Sequence, residues 1–131
     1  MRAGSEDYLA KAYECLREAH QTMAIGLLNL SARCGYYAIF HAAEAFILDR
    51  TGKVGKTHSG VRSEFSRLTR NILQADTALL AQAYKYKAAD YDIHNELVLT
   101  APALQGFIDQ CSHFVGVIET MLLSSETGIV E

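Results

Sequence analysis

The chain has 131 residues and a formal net charge of −3, with 50% apolar and 21% charged residues. That length predicts a single domain spanning 1–131, with a core over about 5–123 and a tail from 124 to 131. The composition excludes a disordered chain and a strongly basic nucleic-acid sleeve, though not a local basic site.

Five helical patterns follow one another. Ser5 stands where a helix cap is expected, before Glu6 and Asp7, and acids suit the positive end of a helix dipole. Leu9, Tyr13, Leu16, Ala19 and Met23 then recur at helical spacing, and Gly26 marks a break. A second helix is expected from about Leu27 to Asp49 or Arg50, roughly 35 Å long at the usual rise. Leu28, Ala32, Tyr36, Ile39, Ala43, Phe46 and Ile47 form its inner face, and small or apolar residues on most sides predict a central helix. Gly52 and Gly55 supply the next loop. Thr57 is placed to cap a third helix that turns Val61, Phe65 and Leu68 inward and points Arg62, Arg67 and Arg70 elsewhere. Asp76 is placed to cap a fourth, packed through Leu79, Leu80, Ala83 and Tyr86 and fraying near Tyr91 to His94. Thr100-Ala101-Pro102 opens a fifth, with proline in the first turn, where its missing N–H costs nothing. No strand alternation and no internal repeat interrupt this series, so the fold expected is an all-α, mostly antiparallel bundle of four to five helices.

Cys15, Cys34 and Cys111 are widely spaced and odd in number, which fits neither a disulfide framework nor a zinc knuckle. No signal-peptide pattern and no apolar stretch of about 20 residues is present, so the location expected is the cytoplasm, without membrane insertion. The histidines and cysteines show no metal-ligand spacing, and no phosphate-binding glycine loop occurs. No metal or cofactor is therefore expected.

Polar groups stand out in three places. Arg33, Tyr37 and His41 recur at i, i+4 and i+8 along the otherwise apolar second helix. They read either as a stripe lining a nucleotide or phosphate cleft, or as a buried network in which Arg33 pairs with an acid such as Asp90 while Tyr37 and His41 satisfy each other. His58 sits at a helix start, where backbone N–H groups can hold an anion, with Lys53 and Lys56 just upstream; the alternative is an ordinary cap beside loop lysines. The third place is Lys87 to His94, in which Lys87, Asp90 or Tyr91, and His94 share a face if the helix persists. There His94 suits proton transfer and Lys87 suits charge neutralisation at a phosphate; alternatively Lys87 and Asp90 make a surface pair. Arg62, Arg67 and Arg70 read as an RNA-facing edge or as a solvated face.

Arg33-x-x-Tyr36-Tyr37-Ala38-x-Phe40-His41-Ala42-Ala43, then Thr57-His58-Ser59-Gly60-Val61, then Ala89-Asp90-Tyr91, in that order, resemble a HEPN domain (higher eukaryotes and prokaryotes nucleotide-binding). The likeness covers about Asp7 to Leu122 and is narrower still to the short stand-alone prokaryotic branch often encoded beside a minimal nucleotidyltransferase. It implies a helical bundle that dimerises, and in many members a metal-independent ribonuclease, several of them toxins. The family hallmark is an Arg, four to six residues, then a His on a late helix, completed across the dimer. This chain has Lys87, six residues and His94 at that place, and no Arg with a His at the standard spacing. Some related toxins are silenced by modification of a tyrosine beside that motif; Tyr84, Tyr86 and Tyr91 lie near Lys87, but Glu96 occupies position 96.

Three functions follow as expectations. The first is a HEPN component of a toxin–antitoxin type pair that binds nucleotide, RNA or its transferase partner, with Arg33, Tyr37, His41, His58, Asp90 and Tyr91 as the binding set. The second is a metal-independent HEPN ribonuclease toxin with Lys87 and His94 as its catalytic pair. The third is a helical dimerisation module without a ligand. A homodimer is expected in each case.

Overall fold

In the computed structural model the described residues are 1–90 and 99–126, with side chains described as far as Ser124. They form an all-α fold: α1 Ser5–Ala24, α2 Leu28–Thr51, α3 His58–Thr69, α4 Gln74–Ala83, a 3₁₀ turn Tyr84–Tyr86, and α5 Ala101–Glu126. Helix α2 touches all four others and the 3₁₀ turn, as its many small and apolar positions predict.

Helices α1 and α2 make an antiparallel hairpin. Near the turn, the buried Ser31 hydroxyl donates to the Ala19 carbonyl at 2.7 Å. At the open end, the Arg2 N–H donates to the Asp49 carboxylate at 2.8 Å. The start of α1 differs from the expected cap. Ser5 is the first helical residue, Gly4 in left-handed backbone occupies the cap position at φ 93°, and no side chain caps the helix. The left-handed backbone favours glycine here, and the chain passes close enough to α2 that a Cβ on Gly4 would lie 3.0 Å from Leu48 Cδ2.

The α3 cap is where the sequence puts it: the Gly60 N–H donates to Thr57 Oγ1 at 2.9 Å. Val61 and Phe65 turn inward from α3. Phe65 then links Phe46 of α2 to Phe114 of α5, with ring centroids 5.9 and 5.4 Å apart. Thr69, also buried, donates to the Phe65 carbonyl and shares a hydrogen bond with Thr77, which ties α3 to α4.

Helix α4 ends at Ala83, earlier than its pattern suggests, and tightens into the 3₁₀ turn, where the Lys87 N–H donates to the Tyr84 carbonyl. Two rings in this stretch are captured by different helices. Tyr84 packs edge-on to Tyr36 of α2 and Tyr86 lies 4.7 Å from Phe107 of α5. Tertiary packing thus overrides local helix preference. Asp76 is not the cap but a buried residue of the first turn of α4, where burial raises its carboxyl pKa against the opposing charge of His113.

Helix α5 opens as expected, with Thr100 Oγ1 accepting from the Ala103 N–H. It buries Leu104, Phe107, Ile108, Cys111, Phe114, Val115, Ile118 and Leu122. Its closest approach to α2 is at Gly35, where a Cβ would stand 2.8 Å from Ile108 Cδ1 and 3.0 Å from Phe107 Cε2. One expected core residue is displaced. Tyr13 is 37% exposed because its hydroxyl reaches Glu119 of α5. Among the described residues, no helix is long and apolar enough to cross a membrane.

Candidate functional site

Helix periodicity puts Tyr36, Tyr37, Phe40 and His41 on adjoining sides of α2, facing the start of α3 and the 3₁₀ turn. His58, the first residue of α3, lies flat against Phe40 at 4.2 Å and is flanked by Tyr36, Tyr37 and Tyr84. Its Nδ1 is 2.7 Å from the buried Tyr36 hydroxyl. One turn further along α3, the Arg62 guanidinium lies over the Tyr84 ring, 3.9 Å from its centroid. Lys87 Nζ stands 5.7 Å from the same ring. Six aromatic or imidazole rings and two cations therefore meet where α2, α3 and the turn after α4 converge.

The electrostatics follow from that crowding. Burial lowers the His58 pKa, the Lys87 and Arg62 charges and His41 lower it further, and among the described residues Glu44 acts the other way. His58 is thus neutral at pH 7. Burial raises the Tyr36 hydroxyl well above the ordinary tyrosine range, opposed by the nearby Arg62 guanidinium. Arg62 can only donate, so it favours Tyr36 Oη as an acceptor and leaves the hydroxyl proton for His58 Nδ1. In the tautomer that this network assigns, His58 Nε2 carries the ring proton.

His41 is arranged in the opposite sense. Its Nδ1 lies 2.7 Å from Oε1 of the buried Glu44, one turn along α2. A carboxylate only accepts, so Nδ1 carries the proton of this contact and Nε2 is left without a partner in the pair. The sequence suggested Tyr37 as the partner of His41. The two rings do neighbour each other at 6.0 Å, but the hydrogen bond goes to Glu44.

Arg33 pairs with Asp90, Nη1 to Oδ2 at 3.4 Å, and its guanidinium faces Tyr37 at 5.5 Å. The pairing suggested from sequence is thus present. The surface pair between Lys87 and Asp90 does not form. The Asp90 carboxylate is turned to Arg33 instead. Tyr91 and His94 lie outside the described residues.

Arg62, Glu44, Tyr36 and Tyr84 complete the cluster, and the sequence reading gave none of them this place. The signals were nonetheless there: Arg62 follows His58 by four residues and Glu44 follows His41 by three, both helical neighbours. Arg67, grouped with Arg62 by composition, instead pairs with Glu64 on the exposed side of α3. The cysteines offer no competing chemistry. All are free, and burial pushes the Cys15 thiol up to about 11 and raises Cys34 and Cys111 as well, so none is a thiolate at neutral pH. Among the described residues, no three His, Cys, Asp or Glu side chains come together in a way that would hold a metal ion.

The model for one protein family, described as the HEPN domain, matches residues 5–98, which includes every side chain of this cluster. No curated protein matches the chain significantly.

Proposed function

Because the chain belongs to the HEPN family, we propose that it binds RNA or a nucleotide on the face shared by α2, α3 and the 3₁₀ turn. On this reading it works as a homodimer, paired with a minimal nucleotidyltransferase in a toxin–antitoxin type system. The observation that carries the binding is the convergence of Arg62, Lys87, His58 and His41 on one aromatic surface where, among the described residues, Glu44 is the one carboxylate acting on His58. Rings offer stacking to bases and cations offer contacts to phosphate, the two components of single-strand recognition. The transferase partner and the dimer are carried over from the family resemblance. Anisotropy titration of a short single-stranded RNA and of ATP tests the binding; absence of both signals refutes it. Light scattering tests the dimer, and a monomer at micromolar concentration refutes that part. Purification from the native host tests the partner, which should be recovered as a nucleotidyltransferase.

One observation favours a second reading, a metal-independent ribonuclease. His41, with its ring held through Nδ1 by Glu44, has the arrangement of an oriented acid–base group, and cations stand nearby for the phosphate. Attack of an RNA 2′-hydroxyl on the adjacent phosphorus would pass its proton to such a group, forming a 2′,3′-cyclic phosphate as the P–O5′ bond breaks and the 5′-oxygen takes up a proton. Incubating an RNA pool without metal, with wild type, His41→Ala and His94→Ala, separates the candidates. Cleavage lost only in His94→Ala supports the Lys87 and His94 pair, and loss in His41→Ala supports the dyad. Absence of cleavage by the wild type leaves binding without catalysis.

A further inference from the structure

We propose that Arg62, together with Lys87 and the Nε2 proton of His58, forms a phosphate-binding site at the junction of α3 and the 3₁₀ turn, with Arg62 supplying the two-pronged contact. The site takes the phosphate group of an RNA backbone or of a free nucleotide, and it rests on the reading above that this face binds such a ligand.

Three observations lead there. The first is that Arg62 and Lys87 make no ion pair among the described residues, while Arg33, Arg50 and Arg67 each meet a carboxylate. Arg62 Nη1 also has no hydrogen-bond partner there, although the atom is buried. A guanidinium whose donors remain unmatched inside a protein has unused capacity for an anion.

The second observation is like-charge crowding. Both cations act on His58, and among the described residues the one carboxylate acting there, Glu44, is already committed to His41. Gathering positive charge in a partly buried place is unfavourable by itself, and a bound phosphate reverses the sign of that interaction.

Third, Arg62 lies over the Tyr84 ring at 3.9 Å. A guanidinium stacked on a ring is held as a fixed planar fork, the geometry that contacts phosphate oxygens, and here one arm also faces Tyr36 Oη. Lys87 adds a point charge beside the same ring. His58 adds one neutral donor, aimed by Tyr36 on its other nitrogen.

The test uses the full chain, with Arg62→Gln, Arg62→Lys and the exposed control Arg67→Gln, after thermal unfolding has established that each is folded. Anisotropy titrations over a salt series use a short single-stranded RNA in one arm and ATP in the other. Arg62→Gln should weaken binding about tenfold or more, the loss expected for a charge-assisted contact. In the RNA arm it should also make the plot of log affinity against log salt shallower by about 0.7, one phosphate contact on a single strand. Arg62→Lys should recover the slope but not the full affinity, because the fork is lost while the charge remains. Arg67→Gln should behave as wild type.

Effects in the RNA arm alone identify a backbone phosphate, and effects in the ATP arm alone identify a free nucleotide. Wild-type affinity and slope in Arg62→Gln overturn the phosphate site and leave the binding face standing. Failure of wild type to bind either probe overturns both. If Arg62→Gln does not fold, Lys87→Gln in the same assay decides the matter: an unchanged slope and affinity overturn the site.

Discussion

Gly35 and Tyr36 are neighbours in sequence and face two different kinds of surroundings. Gly35 lets α5 press Ile108, Phe107 and Cys111 against the α2 backbone, an apolar contact whose requirement is shape. Tyr36 is equally buried, yet its hydroxyl is held by His58 and its ring adjoins Tyr37, Phe40 and Tyr84. The first surface is built for density, and its side chains tolerate almost no change of volume. The second is built around polar atoms whose partners must be present, and it leaves two cations without carboxylates among the described residues. Stability is therefore expected to reside mainly on the α5 side of α2, and ligand chemistry on the α3 side.

That division can be broken most forcefully at Phe114, which is fully buried against Phe65. Phe114→Ala should cost about 3–5 kcal/mol in denaturant unfolding. Gly35→Ala should cost about 1–3 kcal/mol, because Ile108 and Phe107 must give way to the new methyl group. In both variants the fraction that remains folded should bind RNA as wild type does; a weakened folded fraction would contradict the division. Tyr36→Phe keeps the ring and removes the hydroxyl, so it should cost about 1 kcal/mol in stability. It should also weaken ligand binding, because His58 loses the contact that aims it.

The pH dependence has a definite sign. The pKa of His58 is lowered in the folded protein, so the unfolded chain takes up the proton first. Its contribution to stability is fully present above the ordinary histidine range and is lost as pH falls below about 6.5 and on through the folded value. Urea unfolding between neutral and mildly acid pH should show this decline, and His58→Gln should flatten it. The smallest effect is expected at the partly exposed Arg33–Asp90 pair, where Asp90→Asn should change stability by no more than about 1 kcal/mol.

The sequence carried much of the fold. The apolar repeats of α1, α2 and α5 placed those helices to within a few residues, and Thr57 marked the start of α3 because a cap is a local interaction. The end of α4 was not legible in the same way. Tyr84 and Tyr86 continue its pattern, but the rings that capture them belong to α2 and α5, far away in the chain. Arg62 shows the same limit. Composition grouped it with Arg67 and Arg70, although five residues turn a helix by about 140° relative to its starting direction, so Arg62 and Arg67 face different surroundings. The cap at Ser5 failed because Gly4, with its left-handed backbone, meets α2 at Leu48, a contact between segments distant in the chain. Periodicity tells which side of a helix turns inward; it does not tell which neighbour will be met there.

The close approach at Gly35 also fixes how the molecule can move. For α5 to slide along α2, the position now occupied by Gly35 would have to accept a residue carrying a Cβ, only 2.8 Å from the end of Ile108. The close contact therefore favours one register of the two helices, with α1 tied to α2 at both ends of the hairpin by Ser31 and Asp49. Adjustment to an incoming ligand is expected first in the 3₁₀ turn and on the outer side of α3, whose inner side is anchored in the core by Val61 and Phe65. The protein is thus divided mechanically as well as chemically, into an anvil and a jaw.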